Sequence, residues 1–69
     1  MSILEKFGER VRYLRKQKGL SQEKFAEISE MHRTYIGMIE RGEKNITLAN
    51  IEKCAKALQV SLSELFKDI

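Results

Sequence analysis

The side chains with the most chemistry to offer lie in one eight-residue stretch, Arg33-Thr34-Tyr35-Ile36-Gly37-Met38-Ile39-Glu40. At about 3.6 residues per turn, Ile36 and Ile39 fall on one stripe of a helix while Arg33, Thr34 and Met38 point elsewhere. The isoleucines would anchor the helix to a core and leave outward an arginine fork, a hydroxyl and methyl groups. Those are the groups that hydrogen-bond to, or touch, base edges in a DNA groove. An ordinary amphipathic surface helix has the same pattern, so the flanking sequence has to decide. Covalent and metal chemistry have weaker candidates. Cys54 is the only cysteine and His32 the only histidine, and neither has a second ligand or a nucleophile beside it. There is no phosphate-cradling glycine loop and no Ser/His/Asp or Cys/His set. An enzyme is excluded on residues, no metal, cofactor or small-molecule ligand is expected, and Cys54 reads as a small buried hydrophobe.

A chain of 69 residues has room for one domain, here residues 1–69, and buries only about 60 % of the surface its unfolded form exposes. Its core is therefore marginal, and dimerisation would help it. With 42 % hydrophobic and 33 % charged residues it reads as a soluble globular domain, not a disordered tail. Apolar runs are too short to span a bilayer, and Met1 to Lys6 lacks the basic and apolar regions of a signal peptide. A cytoplasmic protein without a membrane partner is the expectation. The net charge of +3 is unevenly placed: residues 1–44 carry ten Lys or Arg against seven Asp or Glu, whereas residues 45–69 carry three of each. A polyanion would meet the first part of the chain.

The elements that must position Arg33 and its neighbours follow from apolar spacing and from caps. Leu4, Phe7, Val11 and Leu14, spaced three, four and three, predict a first helix with one buried face, ended by Gly19 after basic residues. Ser21 caps a second helix, with Glu23 near its positive end and Phe25, Ala26 and Ile28 on its buried side. A tight turn, Ser29-Glu30-Met31-His32, leads to the third helix, which stops at Arg41 and Gly42. After the loop Glu43-Lys44-Asn45, Thr47 caps a fourth helix that buries Leu48, Ile51, Ala55 and Leu58. Ser61-Leu62-Ser63-Glu64 reads as a capping box opening a short fifth helix with Leu62, Leu65 and Phe66 apolar. No segment alternates with period two and there is no proline. The predicted fold is all-α, a compact bundle of five helices.

The run Gly19-Leu20-Ser21-Gln22-Glu23-Lys24-Phe25-Ala26, then Ile36 and Ile39-Glu40-Arg41-Gly42, then Thr47-Leu48 and Ala57-Leu58, resembles the helix-turn-helix domain of phage-repressor type, the xenobiotic-response-element family. Within it, His32 to Gly37 together with Ile39 to Asn45 looks like the controller proteins of restriction-modification systems. The resemblance spans nearly the whole chain. It implies a lambda-repressor-like DNA-binding domain in which Gln22 grips a DNA phosphate and Arg33, Thr34 and Met38, with Tyr35 beside them, face base edges. Arg41, Lys44 and Asn45, at the helix end and in the following loop, fall where the phosphate backbone should run. Glu40 follows the anchoring Ile39 and should be drawn inward, where a carboxylate needs a cation; the resemblance points to Arg15. Gly37 within a helix suggests close approach by DNA or by a neighbouring helix. Two positions depart from the family: Glu30 and Gln59 stand where glycine is usual.

These features imply a sequence-specific transcription regulator, a repressor or activator, that binds double-stranded DNA as a homodimer on a palindromic operator. The controller of a restriction-modification system is the specific expectation. A DNA-binding antitoxin or free-standing repressor whose main partner is another protein shares most of the features, and an additional exposed apolar patch would mark it. The homodimer is expected through the neutral C-terminal part. Ile46, Asn50, Phe66 and Ile69 would form its interface, with Leu62 and Leu65 more readily assigned to the core.

Overall fold

Each helix begins where a side chain can take up a backbone N–H left unpaired in the first turn. The computed structural model describes residues 1–69 and contains five helices and no strand. In α1 (Ile3–Gln17) the Glu5 N–H donates to Ser2 Oγ at 3.1 Å, and the Ser2 N–H donates back to Glu5 Oε1 at 2.9 Å. Ser21 Oγ opens α2 (Gln22–Ser29) by accepting from the Lys24 N–H at 2.9 Å. His32 Nδ1 does the same for α3 (Arg33–Glu40), accepting from the Thr34 N–H at 3.1 Å. Thr47 caps α4 (Leu48–Leu58) and Ser61 caps α5 (Leu62–Leu65). The capping box expected at Ser61 is only half formed. Glu64 gives its N–H to Ser61 Oγ, but its carboxylate turns to Arg10 at 3.3 Å, and Arg10 Nη2 also donates to the Glu64 carbonyl at 2.8 Å. The complete box is at Ser2 and Glu5, where the sequence reading had none.

Glu30 (φ 59°) and Gln59 (φ 58°) end α2 and α4 in the left-handed region despite carrying a β-carbon, at a cost of about 1–2 kcal/mol each. Both turns recover hydrogen bonds and burial. The Met31 N–H reaches the Ala26 carbonyl and the Val60 N–H the Ala55 carbonyl, each at 3.0 Å, and Met31 and Val60 then pack on the core.

The core comprises Phe7, Val11 and Leu14 of α1, Phe25 and Ala26 of α2, Ile36 and Ile39 of α3, Cys54, Ala55, Ala57 and Leu58 of α4, and Leu65 of α5. α3 packs against both α1 and α2, while α4 closes the far side on α2, α1 and α5. Gly8 sets how closely α1 and α3 approach. A β-carbon there would lie 2.7 Å from the Glu40 carbonyl oxygen, so only glycine lets the two backbones touch. Gly37 has no such role: the nearest group to a β-carbon there is the Arg41 guanidinium, and no neighbouring helix approaches it.

Three residues assigned to the core, Ile28, Leu48 and Leu62, lie outside it. At 100° per residue, Phe25, Ser29 and Ala26 share an arc that Ile28 misses by about 60°. Ile28 is accordingly exposed and Ser29 buried, its hydroxyl donating to the Phe25 carbonyl at 2.7 Å. Leu48 is 76 % exposed. It sits in the first turn of α4, and helical side chains lean toward the N-terminus, so it leans off the end of the bundle. No helix is long and apolar enough to cross a membrane.

Candidate nucleic-acid interface

α3 is held from behind and left open in front. Ile36 and Ile39 are 0 % and 2 % exposed, whereas Arg33 and Thr34 at its N-terminal end are exposed and Met38, further along, is half-buried. The short connection from Glu30 to His32 fixes α3 across the first turn of α2, and side-chain contacts join the two helices at both ends of α3. At one end Arg33 Nη1 donates to Glu23 Oε1 at 3.0 Å. At the other, Gln22 Nε2 donates to Glu40 Oε1 at 3.1 Å. Gln22 and Arg33, assigned to a phosphate and to a base edge, are thereby brought to one face.

Behind that face lies an ionic centre. The Glu40 side chain is 3 % exposed and that of Arg15 9 %. Arg15 reaches the carboxylate with two parallel bonds, Nε to Oε2 at 2.6 Å and Nη2 to Oε1 at 3.0 Å, and its Nη1 donates to the Leu20 carbonyl at 2.8 Å. A bidentate, charge-assisted pair of this kind holds direction as well as charge. It joins α1 to α3 and, through Leu20, to the loop before α2. No buried side-chain nitrogen or oxygen is left without a partner. Cys54 is fully buried in α4, and burial, with a smaller effect of the Glu40 charge, pushes its thiol up to about 12.

Two further cations lie beside α3. Arg41 lies over Gly37, and its Nε donates to Glu43 Oε2 at 3.0 Å. That bond, and then the charge of Glu43, hold the Arg41 guanidinium above its ordinary value. The Lys44 ammonium sits 5.7 Å from the centre of the Tyr35 ring, and Asn45 next to it is exposed. Tyr35 is half-buried against the core, and its hydroxyl accepts from Asn50 Nδ2 at 3.1 Å. Asn50, expected at a dimer rim, is thus tied to the foot of α3. The ion pair of Arg33 with Glu23 was not foreseen: a carboxylate ten residues earlier meets it only because of the angle between α2 and α3.

Apolar surface collects along α4 and α5. Leu48 and Leu62 stand out, 76 % and 45 % exposed, and with Ala49 and Glu52 they line one hollow. Phe66, 38 % exposed, stacks on Phe7 at 5.3 Å and borders a second apolar hollow with Ile3, Leu4, Ile46 and Ile51. Ile46 and Ile69 are half-buried against the core, and Leu65 is fully buried. Leu48 was missed as surface because its spacing alone puts it on the core stripe.

The family pattern described as Helix-turn-helix (HTH_3) matches residues 11–65. The chain is 48 % identical over 65 residues to the control protein C.MunI of a Mycoplasma species, covering 93 % of this chain and 88 % of that protein. The crystal structure of the restriction-modification controller protein C.AhdI from Aeromonas hydrophila superposes with a TM-score of 0.89 at 52 % identity, over 91 % of this chain and 96 % of that one. The nucleoprotein complex of C.Esp1396I gives a TM-score of 0.88 at 36 % identity, over 97 % of this chain and 87 % of that one.

Proposed function

This chain belongs to the helix-turn-helix family HTH_3, among relatives that are restriction-modification control proteins, and from that premise we propose how it works. It is a sequence-specific regulator of transcription, a restriction-modification controller, that binds a palindromic operator as a homodimer in the cytoplasm and catalyses no reaction. Residues 1–69 form the single DNA-binding unit. The observation that carries the reading is α3 itself: two isoleucines fix its inner side, while Arg33 and Thr34 stand exposed at the end that enters a major groove. Arg33 presents a planar fork to guanine O6 and N7, and Thr34, Tyr35 and Met38 complete the base contacts. Gln22, Arg41, Lys44 and Asn45 hold phosphates on either side and set affinity without reading sequence.

Two copies are needed because one short helix reads few bases. The reading helices of a dimer must lie about 34 Å apart to meet successive major grooves. One protomer measures 27 × 22 × 21 Å, so two set side by side span roughly 42 to 54 Å, long enough to carry reading helices about 34 Å apart. The apolar surface bearing Leu48, Leu62 and Phe66 is the face proposed for contact, with Ile46 and Ile69 at its edge.

Binding over a panel of single-base substitutions and several salt concentrations tests the assignment. Arg33→Ala should cost about 1–3 kcal/mol on the preferred site and flatten preference at one base position per half-site. Lys44→Ala should weaken all sequences alike and lower the salt slope by about 1 per subunit. Equal loss on every sequence for Arg33→Ala would move Arg33 to the phosphate class. For assembly, Leu48→Glu with Leu62→Glu should sediment as a monomer and lose the full operator; a variant that stays dimeric would rule that face out.

A further inference from the structure

Glu23 is an acidic residue at the heart of a surface proposed to meet a polyanion, and it holds the one arginine assigned to a base. Its side chain is 75 % exposed and that of Arg33 62 %, so the pair is open to whatever docks on α3. Only Nη1 of Arg33 is engaged, at 3.0 Å; Nε and Nη2 donate to nothing. Those two donors lie along one edge of the guanidinium, parallel and in plane, the arrangement that matches O6 and N7 of a guanine.

We propose that Glu23 is a specificity-determining residue: it is the intramolecular counter-ion of Arg33, aiming its free edge at guanine and denying that arginine to phosphates. The inference rests on α3 being the groove-reading helix. Opposite guanine, Arg33 keeps Nη1 on Glu23 and reads with Nε and Nη2, so no bond is given up. On unrelated DNA the partner on offer is a phosphate, which would have to displace the carboxylate and then lie against it, charge to like charge. Arg33 therefore releases no counter-ion from non-specific DNA, because its own counter-ion is built into the protein. Lys44, assigned to a phosphate, has no carboxylate partner and faces the Tyr35 ring.

Glu23→Gln keeps the size and the acceptor oxygen and removes only the charge. Binding is measured for the full chain on two duplexes: the preferred site selected from a randomised pool, and the same bases scrambled, at about 50 to 200 mM salt. One more phosphate contact per subunit steepens the slope by about 0.9 and is worth about three- to fourfold over that range. Glu23→Gln is thus expected to bind scrambled DNA more tightly, with a slope steeper by about 2, so that its advantage over the unmodified protein shrinks about tenfold between about 50 and 200 mM salt, while affinity for the preferred site changes little. Glu23→Asp, which keeps the charge, should keep the slope of the unmodified protein. Thermal melting confirms that each variant is folded. Equal gains on both duplexes, an unchanged slope for Glu23→Gln, or a Glu23→Asp slope equal to that of Glu23→Gln would each overturn the role given to Glu23. If the unmodified protein selects no preferred site at all, the reading of α3 falls, and this inference with it.

Discussion

Arg15→Met is the substitution that most directly tests how this small bundle is held together. Glu40 is almost without solvent, and its carboxylate accepts three hydrogen bonds, two from Arg15 and one from Gln22. Taking Arg15 away leaves a buried charge with a single neutral donor, at a cost of about 3–5 kcal/mol. A domain of 69 residues has only about 3–10 kcal/mol in total, so the variant should lose roughly a third of its stability or more. Replacing both partners, Arg15→Met with Glu40→Leu, removes the stranded charge along with the pair. What remains lost is the donor to the Leu20 carbonyl and the acceptor for Gln22, about 1 kcal/mol each. The double variant should therefore lie within about 2 kcal/mol of the parent and be clearly more stable than Arg15→Met alone. Urea unfolding followed by circular dichroism gives the comparison, at one protomer concentration because dimerisation adds to apparent stability. A cost below about 1 kcal/mol for Arg15→Met, or a double variant no better than the sum of the singles, would show that Glu40 reaches water and that the argument from burial is wrong.

Gly8→Ala should destabilise by about 2 kcal/mol even though alanine favours a helix by about 1, because the added carbon meets the Glu40 backbone at 2.7 Å; equal or higher stability in urea would show that α1 and α3 can part freely. Glu5 is held below its ordinary 4.5 by the Ser2 backbone N–H first and the Ser2 hydroxyl second, so it favours the fold above that value and loses the effect as pH falls through its lowered one. Melting temperatures of the parent and Glu5→Gln should differ most near neutral pH and converge in acid; a constant gap would refute the linkage. Cys54, raised from 9.0 to about 12, should react with a thiol reagent at mildly alkaline pH about a thousandfold more slowly than in urea, and comparable rates would mean the core opens readily.

What was legible in the sequence was what is local. Caps and stop signals act within three or four residues, so Ser21, Thr47, Gly19 and Gly42 placed the helix limits, and three-four-three spacing found the buried stripes of α1 and α4. What was not legible depends on where helices cross. Gly8 matters only because α3 lies against it, and nothing near it in sequence says so. Leu48 fits its stripe and is still exposed, since periodicity gives a direction around a helix and not the point where the helix leaves the bundle. The same limit governs the site. Arg33 and Gln22 could be singled out by type and position, but their partners Glu23 and Glu40 are set by the angle between α2 and α3.

Glu40 also ties stability to binding, and the double variant separates the two. The Gln22 amide has two N–H donors; one is spent on Glu40, which fixes the rotamer, and the second is free for the phosphate assigned to it. Gln22 thus meets DNA already oriented, and the carboxylate that orients it is the one that Arg15 neutralises. Arg15→Met with Glu40→Leu should accordingly fold yet bind DNA more weakly, by about 0.5–1.5 kcal/mol per subunit, the worth of one hydrogen bond whose donor is no longer held. The loss should be the same on preferred and scrambled duplexes, because a phosphate contact carries no sequence information. Gln22→Ala should lose as much in the parent and almost nothing further in the double variant. If the two losses added in full, Gln22 would be reaching its phosphate without help from Glu40, and the ion pair would serve the fold alone.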